Sequence, residues 1–543
     1  MGGHVNVLDD VLISNLPPAY LRSSLRALLS QGPGIQKLFV EHARSRLQET
    51  PPQLTEAAKL FPAHDTCSPE CIDLTHFVHS VIQARASWTA QSPLSQNVDK
   101  FAGDIVQAMQ ALKESAPEKS TKLKEDLQAL LASFASCQTY CASSRLEYPF
   151  GRAERQARDT LQLFFADAAA IQQASSTHGD RIIHLASPPA GAVEKFTLGN
   201  RRLPRLFNGL WQLSSPAFGV GNWHQQQRKL VKLVEAGLVA ADMADHYGDA
   251  ELVYGDFRNR LPAATQAELY AATKWCVFKP LNTPVTTEYV LAAVRERCRR
   301  LGGRVDLLQF HWYDYEAKEY LQILHELIGI TKSHPEYLSA VGLCNFDAEH
   351  TDEICRYLID KTGEVGIVSN QVQFSPIDTR PLMGMTQVCE RYNLKLLTYG
   401  SLCGGLLTEK WLNQPPPDIY SPSNPLNPSQ RKYLDMINHW GTWQEFQSLL
   451  GTLSLLATKY NVSIADVASR WVLQQPSVGA VLVGTRLGVS DRCADALHVF
   501  GWNLSNADIM AIDAFAHGHN GEKLHAVYQK IGDCGQEYRG MRA

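Results

Sequence analysis

The sequence predicts an α/β protein, a (β/α)8 or TIM barrel preceded by a mostly α-helical N-terminal domain. From about residue 203, short apolar runs typical of strands alternate with amphipathic helical segments, which indicates a parallel sheet with crossover helices. The apolar runs number eight, and eight parallel strands with helices outside them close into a barrel. Strand-like alternation is scarce before residue 185, where apolar residues recur at helical spacing.

The pattern of apolar residues changes at the stretch ASPPAGAVEKFTLGNRR, which we interpret as a linker over residues 186–202. Residues 1–185 form the predicted helical domain, with segments such as DIVQAMQALKE and STKLKEDLQALLASFASC. Residues 203–515 form the predicted barrel. Residues 516–543 form a C-terminal tail beyond its last helix.

The predicted strands follow one another with a helical segment between nearly every pair. The alternative is an open doubly wound sheet, which usually has fewer repeats and often a glycine-rich turn after its first strand. The turn FGVGNW lacks the third glycine of such a motif, so the barrel is favoured. The strands lie within the runs RLFNGLWQL, GLVAADMA, ELYAATKWC, RVDLLQFHW, YLSAVGLCN, GIVSNQVQF, LKLLTYG and VGAVLVGT.

The composition argues against several classes of protein. Hydrophobic residues make up 45% and charged residues 20%, which is ordinary for a soluble globular chain. The net charge of -4 and the lack of a long basic block argue against nucleic acid as a main partner. We find no uninterrupted apolar run of about 18 residues, so no membrane span is predicted. The first residues lack the basic and apolar regions of a secretory signal, so we expect a cytoplasmic protein.

Two cysteine pairs with C-x3-C spacing lie in the N-terminal domain, Cys67 with Cys71 and Cys137 with Cys141. Four thiolates could hold zinc, but this spacing is looser than the C-x2-C of many zinc sites. Cysteines four apart on a helix also pack as small hydrophobic residues. We therefore predict no metal site.

Polar residues end three successive predicted strands and so point to a reaction site. Asp242 ends the second strand and runs into Tyr247, Lys274 lies at the end of the third, and His311 ends the fourth. A lone lysine there is usually solvated, and a lone histidine is more often structural than catalytic. Together, however, they would meet at the carboxyl end of the barrel, where barrel enzymes carry their chemistry.

These residue types fit the reduction of a carbonyl group. A tyrosine is a poor acid at neutral pH, and a nearby ammonium stabilises its phenolate and lowers its pKa. An aspartate holds the lysine in place, and a histidine beside the phenol orients the carbonyl oxygen. Side chains cannot supply a hydride, so a nicotinamide cofactor is implied.

From about residue 200 to 515 the chain resembles the aldo-keto reductases. The resemblance implies a barrel that binds NADP(H) or NAD(H), with Tyr247 as general acid/base. It implies that Lys274 and Asp242 tune the tyrosine and that His311 positions the carbonyl. The matching stretches occur in family order, and they are NGLWQL, DMADHYGDAE, ATKW, DLLQFHW, VGLCNF, NQVQFSPID, LLTYGSLCGGLL and VLVGTRLGVSD.

The same resemblance implies a set of cofactor-binding residues. An arginine after the last strand suits a 2′-phosphate, so we expect NADPH rather than NADH; the alternative is that this arginine caps a surface loop. A cysteine, Cys344, stands where the family usually has a serine before the carboxamide-binding asparagine. The implied residues are Trp211 as a further cofactor contact, Asn345 and Gln371 for the carboxamide, Tyr399 for ring stacking, Ser401 and Leu402 along the pyrophosphate, and Gly484, Thr485 and Arg486 at the adenosine phosphate.

Substrate and partners are less determined by the sequence. Trp223 and Trp312 are candidate walls of a substrate pocket, or alternatively packing elements. We expect reversible NADPH-dependent reduction of an aldehyde or ketone to an alcohol. The alternative is a cofactor-binding regulatory subunit that senses redox state, with residues 1–185 docking onto a partner or self-associating.

Overall fold

The computed structural model describes most of the barrel and part of the chain before it. Residues 415–427 and 120–149 belong to one compact unit, and residues 100–119, 150–414 and 428–543 belong to another. The described residues are 120–143, 148, 150–166, 193–214, 218, 223–417, 426–490 and 493–540, with isolated positions between 24 and 113 and between 183 and 186.

The first unit contains the long helix α1 (Thr121–Ser143), as the helical spacing predicts. The Ser120 hydroxyl accepts a hydrogen bond from the Leu123 amide and caps the helix start. Cys137 and Cys141 are buried on α1 among leucines and a phenylalanine, and neither forms a disulfide. Cys67 and Cys71 lie outside the described residues.

The second unit contains the closed parallel barrel, which confirms the predicted fold class. The strand order is β10-β3-β4-β5-β6-β7-β8-β9, so each strand pairs with its neighbour in sequence and the last pairs with the first. The barrel strands are β3 (Leu206–Gly209), β4 (Ala240–Asp242), β5 (Tyr270–Cys276), β6 (Leu307–His311), β7 (Val341–Cys344), β8 (Ile367–Gln373), β9 (Lys395–Tyr399) and β10 (Val478–Gly484).

A short antiparallel hairpin precedes the barrel. It consists of β1 (Lys195–Leu198) and β2 (Arg201–Pro204), at the end of the predicted linker. Leu198 and Leu203 pack in one cluster with inward-facing barrel residues such as Phe207 and Tyr270. Burial of these side chains joins the hairpin to the barrel core.

Helices surround the barrel and continue past it. Among the described residues, no helix is both long enough and apolar enough to cross a membrane. The helices of this unit are α2 (Gly151–Phe164), α3 (Trp223–Glu235), α4 (Ala250–Asn259), α5 (Ala263–Glu268), α6 (Thr287–Leu301), α7 (Glu319–Ser333), α8 (Ala348–Thr362), α9 (Met385–Tyr392), α10 (Pro428–Trp440), α11 (Trp443–Tyr460), α12 (Ile464–Leu473), α13 (Cys493–Leu497), α14 (Asn506–Ala516), α15 (Glu522–Ile531) and α16 (Gln536–Gly540).

Candidate active site

A buried ion pair joins the ends of two neighbouring strands. Asp242 is the last residue of β4, Lys274 lies in β5, and both side chains are almost completely buried. The Lys274 Nζ lies 2.5 Å from the Asp242 Oδ2 and also donates to the Met243 carbonyl at 3.0 Å. Burial lowers the pKa of Lys274, but the charge of Asp242 outweighs this effect and holds that pKa above its usual range. The lysine therefore stays charged inside the barrel.

Two glutamines complete the surroundings of the carboxylate. Gln309 Nε2 donates to the Asp242 Oδ1 at 2.7 Å, and Gln371 Nε2 donates to the same oxygen at 2.8 Å. Gln371 also donates to Gln309 Oε1 at 2.8 Å, which closes a small buried network. Gln371, which the resemblance assigns to the cofactor carboxamide, thus gives both amide hydrogens to barrel partners. Gln309 was not predicted, although its place two residues before His311 puts it on the same inward face of β6.

Tyr247 lies in the loop between β4 and α4, close to the ion pair. The Lys274 Nζ lies 4.9 Å from the centroid of its ring. Burial raises the pKa of the Tyr247 phenol well above its usual value of about 10, although the Lys274 ammonium lowers it. The sequence predicts a lowered pKa for this phenol; the Lys274 ammonium acts in that direction, but burial is the larger effect and the net shift is upward. The phenol is therefore protonated at neutral pH.

His311 ends β6 and is buried at the same end of the barrel. Its ring packs against Phe278, with centroids 5.2 Å apart, and against Tyr538, with centroids 6.4 Å apart. Phe278 in turn contacts His246, which packs edge-on against Tyr247 at 4.8 Å. The structure thus brings Asp242, Lys274 and Tyr247 into direct proximity and places His311 on the adjacent strand.

The loop that carries Tyr247 is fixed by Asp245. The Asp245 Oδ2 pairs with Arg297 Nη2 at 2.5 Å and accepts from the Cys276 amide at 3.0 Å. Burial raises the pKa of Asp245, but Arg297 outweighs it and holds that pKa well below its usual range. Arg297 also donates to the Lys274 carbonyl at 3.1 Å, so one guanidinium connects this loop with β5. In the described chain, Asp245, Cys276 and His246 are close enough together for a metal, but Asp245 already pairs with arginine.

The residues expected at the nicotinamide lie together at the end of β9, just after β7 and in β8. The Tyr399 hydroxyl donates to Asn345 Oδ1 at 2.9 Å, and the Asn345 amide donates to the Gln371 carbonyl at 2.8 Å. Ser401 is buried, and its hydroxyl has no hydrogen-bond partner among the described residues. A buried hydroxyl without a partner is unfavourable, so the Ser401 hydroxyl is suited to form a hydrogen bond with a bound ligand. Leu402 follows it and is partly exposed.

The residues expected at the adenosine phosphate lie at the end of β10 and directly after it. A Cβ on Gly484 would lie 2.1 Å from the Gln212 side-chain nitrogen, so glycine permits this close approach. The Thr485 amide donates to the Gly209 carbonyl at 2.8 Å, which joins the ends of β10 and β3. Arg486 is exposed, and its Nε donates to the Phe218 carbonyl at 2.8 Å.

Three tryptophans were predicted near the site. Trp211 begins a short 3-10 turn after β3, and its ring packs 5.0 Å from that of Phe218. Trp312 is 2% exposed, stacks on Phe310 and donates to the Ala317 carbonyl at 2.9 Å, so it packs beside β6. Trp223 begins α3, but its side chain lies outside the described residues.

The C-terminal tail folds over the same end of the barrel, and sequence reasoning assigned it no role. The ring of Tyr538 lies 6.4 Å from that of Tyr399, as it does from His311. Arg539 donates to the Asn345 carbonyl at 3.2 Å. A Cβ on Gly535 would lie 2.2 Å from that carbonyl oxygen, so the tail backbone touches Asn345 closely.

A buried arginine holds the tail. Arg380 pairs with Asp378 at 2.8 Å and with Glu537 at 3.0 Å, and it donates to the Asp533 carbonyl at 2.6 Å. The Lys432 ammonium of α10 also donates to the Tyr538 hydroxyl. The aromatic and charged residues of QEYRG are the one feature of the tail sequence that could have indicated a role in the site. No local pattern predicts which residues they contact.

Comparison with known proteins matches the barrel region to one family. The model of the family described as "Aldo/keto reductase family" matches residues 205–517, more than half of the chain. "Flagellar radial spoke protein 5" of Chlamydomonas reinhardtii is 29% identical over 267 residues, which is 43% of this chain and 49% of that protein, so the chain spans about half of that relative.

Two bacterial reductases are also similar. "L-glyceraldehyde 3-phosphate reductase" of Escherichia coli K12 is 25% identical over 299 residues, 52% of this chain and 80% of that protein. "NADH-specific methylglyoxal reductase" of the same organism is 23% identical over 338 residues, 58% of this chain and 96% of that protein.

Proposed function

The chain belongs to the aldo/keto reductase family, and we propose that it is an NAD(P)H-dependent oxidoreductase that reduces an aldehyde or ketone to an alcohol. The observation that carries the proposal is the buried pair of Asp242 and Lys274 beside the Tyr247 ring, with His311 on the next strand. The reverse reaction, oxidation of the alcohol, uses the same groups. The cytoplasm suits a chain of this composition, and we propose it as the location.

Tyr247 is the proposed proton donor. Burial raises the pKa of this phenol, so it carries its proton at neutral pH and can deliver it to a carbonyl oxygen that gains negative charge. Lys274 then stabilises the phenolate that forms, 4.9 Å from the ring centroid. Asp242, held by Gln309 and Gln371, keeps the lysine in place. His311 orients the carbonyl oxygen.

The nicotinamide supplies the hydride when it is bound. Tyr399 would stack on its ring and Asn345 would bind its carboxamide. The buried Ser401 hydroxyl, which has no partner in the described chain, would bond the pyrophosphate. The exposed Arg486 favours NADPH, because a guanidinium pairs well with a 2′-phosphate. One relative is named as an NADH-specific reductase, so NADH is the alternative cofactor.

The experiment is to follow the absorbance of the reduced nicotinamide over a panel of aldehydes and ketones, for wild type and Tyr247→Phe. We expect the variant to bind NADPH and to lose roughly 100- to 10,000-fold in kcat, the usual contribution of a positioned acid. Tyr254→Phe is the matched control. It removes another buried hydroxyl, which has no partner in the described residues, from α4. Equal kcat for Tyr247→Phe and wild type would contradict the proposal.

A second function is a cofactor-binding subunit of a protein assembly. The observation that favours it is the similarity to a protein named as a flagellar radial spoke component. Residues 1–185 would then bind a partner or a second copy of the chain. Tight NADPH binding without turnover on any carbonyl of the panel would favour this function over the reductase.

A further inference from the structure

We propose that helix α2, which precedes the barrel in sequence, positions the Tyr247 loop. It does so through Arg152 and Arg155, which form hydrogen bonds with Asp249. The inference rests on the proposed function of Tyr247. The two arginines are positioning residues because they act on the loop through Asp249.

The contact is a three-residue ion cluster in which the carboxylate is buried and the two arginines are partly exposed. Asp249 stands two residues after Tyr247, at the start of α4, and is 1% exposed. Arg155 donates to its Oδ2 from Nη2 at 2.6 Å and from Nε at 3.2 Å. Arg152 donates from Nε to the Oδ1 at 3.3 Å. Each carboxylate oxygen is therefore bound by an arginine of α2, and the fork of Arg155 fixes the direction of the carboxylate.

Electrostatics favour this cluster in its charged form. Burial raises the pKa of Asp249, but Arg155 and Arg152 outweigh it and hold that pKa below its usual range. A buried carboxylate without such partners would be strongly unfavourable. The start of α4 therefore depends on α2 for its charge partners.

Arg152 also reaches a second loop at the same end of the barrel. Its Nη2 donates to the Leu213 carbonyl at 3.1 Å, in the 3-10 turn Trp211–Ser214 that follows β3. One side chain thus bridges the loops after β3 and β4. Both loops carry residues expected at the reaction site, Trp211 and Tyr247.

Helix α6 also contacts the Tyr247 loop. Arg300 donates to the Asp245 and Gly248 carbonyls, each at 3.0 Å, and pairs with the buried Glu251 at 2.9 Å. Arginines of both α6 and α2 therefore contact residues 245–249. The contacts from α6 belong to the barrel itself, whereas those from α2 come from the chain before the barrel.

The far end of α2 is anchored separately, and this separation makes the inference testable. Asp159 pairs with Lys113 and with Arg299 of α6, each at 2.5 Å, and within the described chain its ion pairs do not include a residue of the Tyr247 loop. Loss of Asp159 should loosen the helix as a whole, whereas loss of Arg155 should also release Asp249. The two changes separate docking of the helix from positioning of the tyrosine.

The experiment compares Arg155→Met with Asp159→Asn in the full chain. We expect both to lower Tm, but only Arg155→Met to lower kcat, by roughly 10- to 100-fold, with the KM for NADPH changed less than about threefold. Arg155→Lys should recover part of kcat, because it restores the charge but not the fork. Arg158→Ala is the matched control on the same helix, since Arg158 pairs with Glu154 within α2. Equal kcat for Arg155→Met and Asp159→Asn at similar Tm would overturn the inference.

Hydrogen exchange of the peptide over residues 245–249 gives a readout that does not require turnover. We expect faster exchange in Arg155→Met than in Asp159→Asn. If wild type turns over no carbonyl, the proposed function fails. Hydrogen exchange then still tests the inference, and unchanged exchange in Arg155→Met would overturn it. If wild type turns over and Arg155→Met matches it, the inference fails while the proposed function stands.

Discussion

The Lys274 ammonium lies 2.5 Å from the Asp242 carboxylate, and both side chains are removed from water. A buried ion pair is only weak evidence of stability, because removing two charges from water costs about as much as their attraction returns. Breaking such a pair is different, since it leaves one buried charge alone. The two glutamines on Asp242 add hydrogen bonds that a lysine substitution would not remove.

Lys274→Met should therefore lower the free energy of unfolding by about 3–5 kcal/mol and abolish turnover. The double variant Asp242→Asn/Lys274→Met should lose less stability than the sum of the single changes, because no charge is left buried. Chemical denaturation of the four proteins measures both effects. Lys318→Met is the control, since its pair with Glu353 is largely exposed and should change stability by at most about 1 kcal/mol. Additive losses in the double variant would contradict the coupling.

The raised pKa of Tyr247 predicts the pH dependence of reduction. The acid form is the active form, and a raised pKa keeps it populated until the pH passes the usual tyrosine value of about 10. The kcat for carbonyl reduction should therefore stay flat between about pH 6 and pH 9. The pH profile of kcat at saturating substrate is the measurement.

A fall in kcat centred near neutral pH would mean that the Lys274 ammonium lowers the phenol pKa more than burial raises it. Such a fall would contradict the prediction for Tyr247.

The barrel could be predicted from the sequence because each strand is a short apolar run that a local pattern reveals. Asp242, Lys274 and His311 could be predicted for the same reason, since each ends or interrupts such a run with a polar group. Gln309 follows from the period of two along β6, but a second polar residue within an apolar strand has no local explanation. The role of Gln309 becomes clear only in the folded structure, where its side chain donates to the Asp242 carboxylate.

Contacts between distant parts of the chain could not be predicted. Arg155 and Asp249 are 94 residues apart, and Arg539 and Asn345 are 194 residues apart, so no periodicity connects them. The predicted boundary between residues 1–185 and the barrel rests only on the change from helical spacing to alternating strand-like and helical segments. Helix α2 lies before that boundary, yet it belongs to the same compact unit as the barrel.

The exposed Arg486 gives a prediction about cofactor choice. Arg486→Ala should weaken NADPH binding roughly 10-fold or more and leave NADH binding nearly unchanged, since only NADPH carries a 2′-phosphate. Titration of both cofactors into wild type and variant, followed by tryptophan fluorescence, measures the two affinities. An equal loss for both cofactors would mean that Arg486 acts through the Phe218 carbonyl, to which its Nε donates at 2.8 Å.

The contact between the tail and Asn345 predicts the effect of one added methyl group. In Gly535→Ala the new Cβ would lie 2.2 Å from the Asn345 carbonyl oxygen, at a backbone φ of +118° that favours glycine. Either the tail or Asn345 must move, so we expect a lower Tm and weaker NADPH binding. Gly451→Ala in α11 is the control, because nothing lies within 4 Å of its added Cβ. There the helix should gain about 0.5–1 kcal/mol. If Gly535→Ala lowers Tm but leaves NADPH affinity unchanged, the tail supports the fold without shaping the cofactor site.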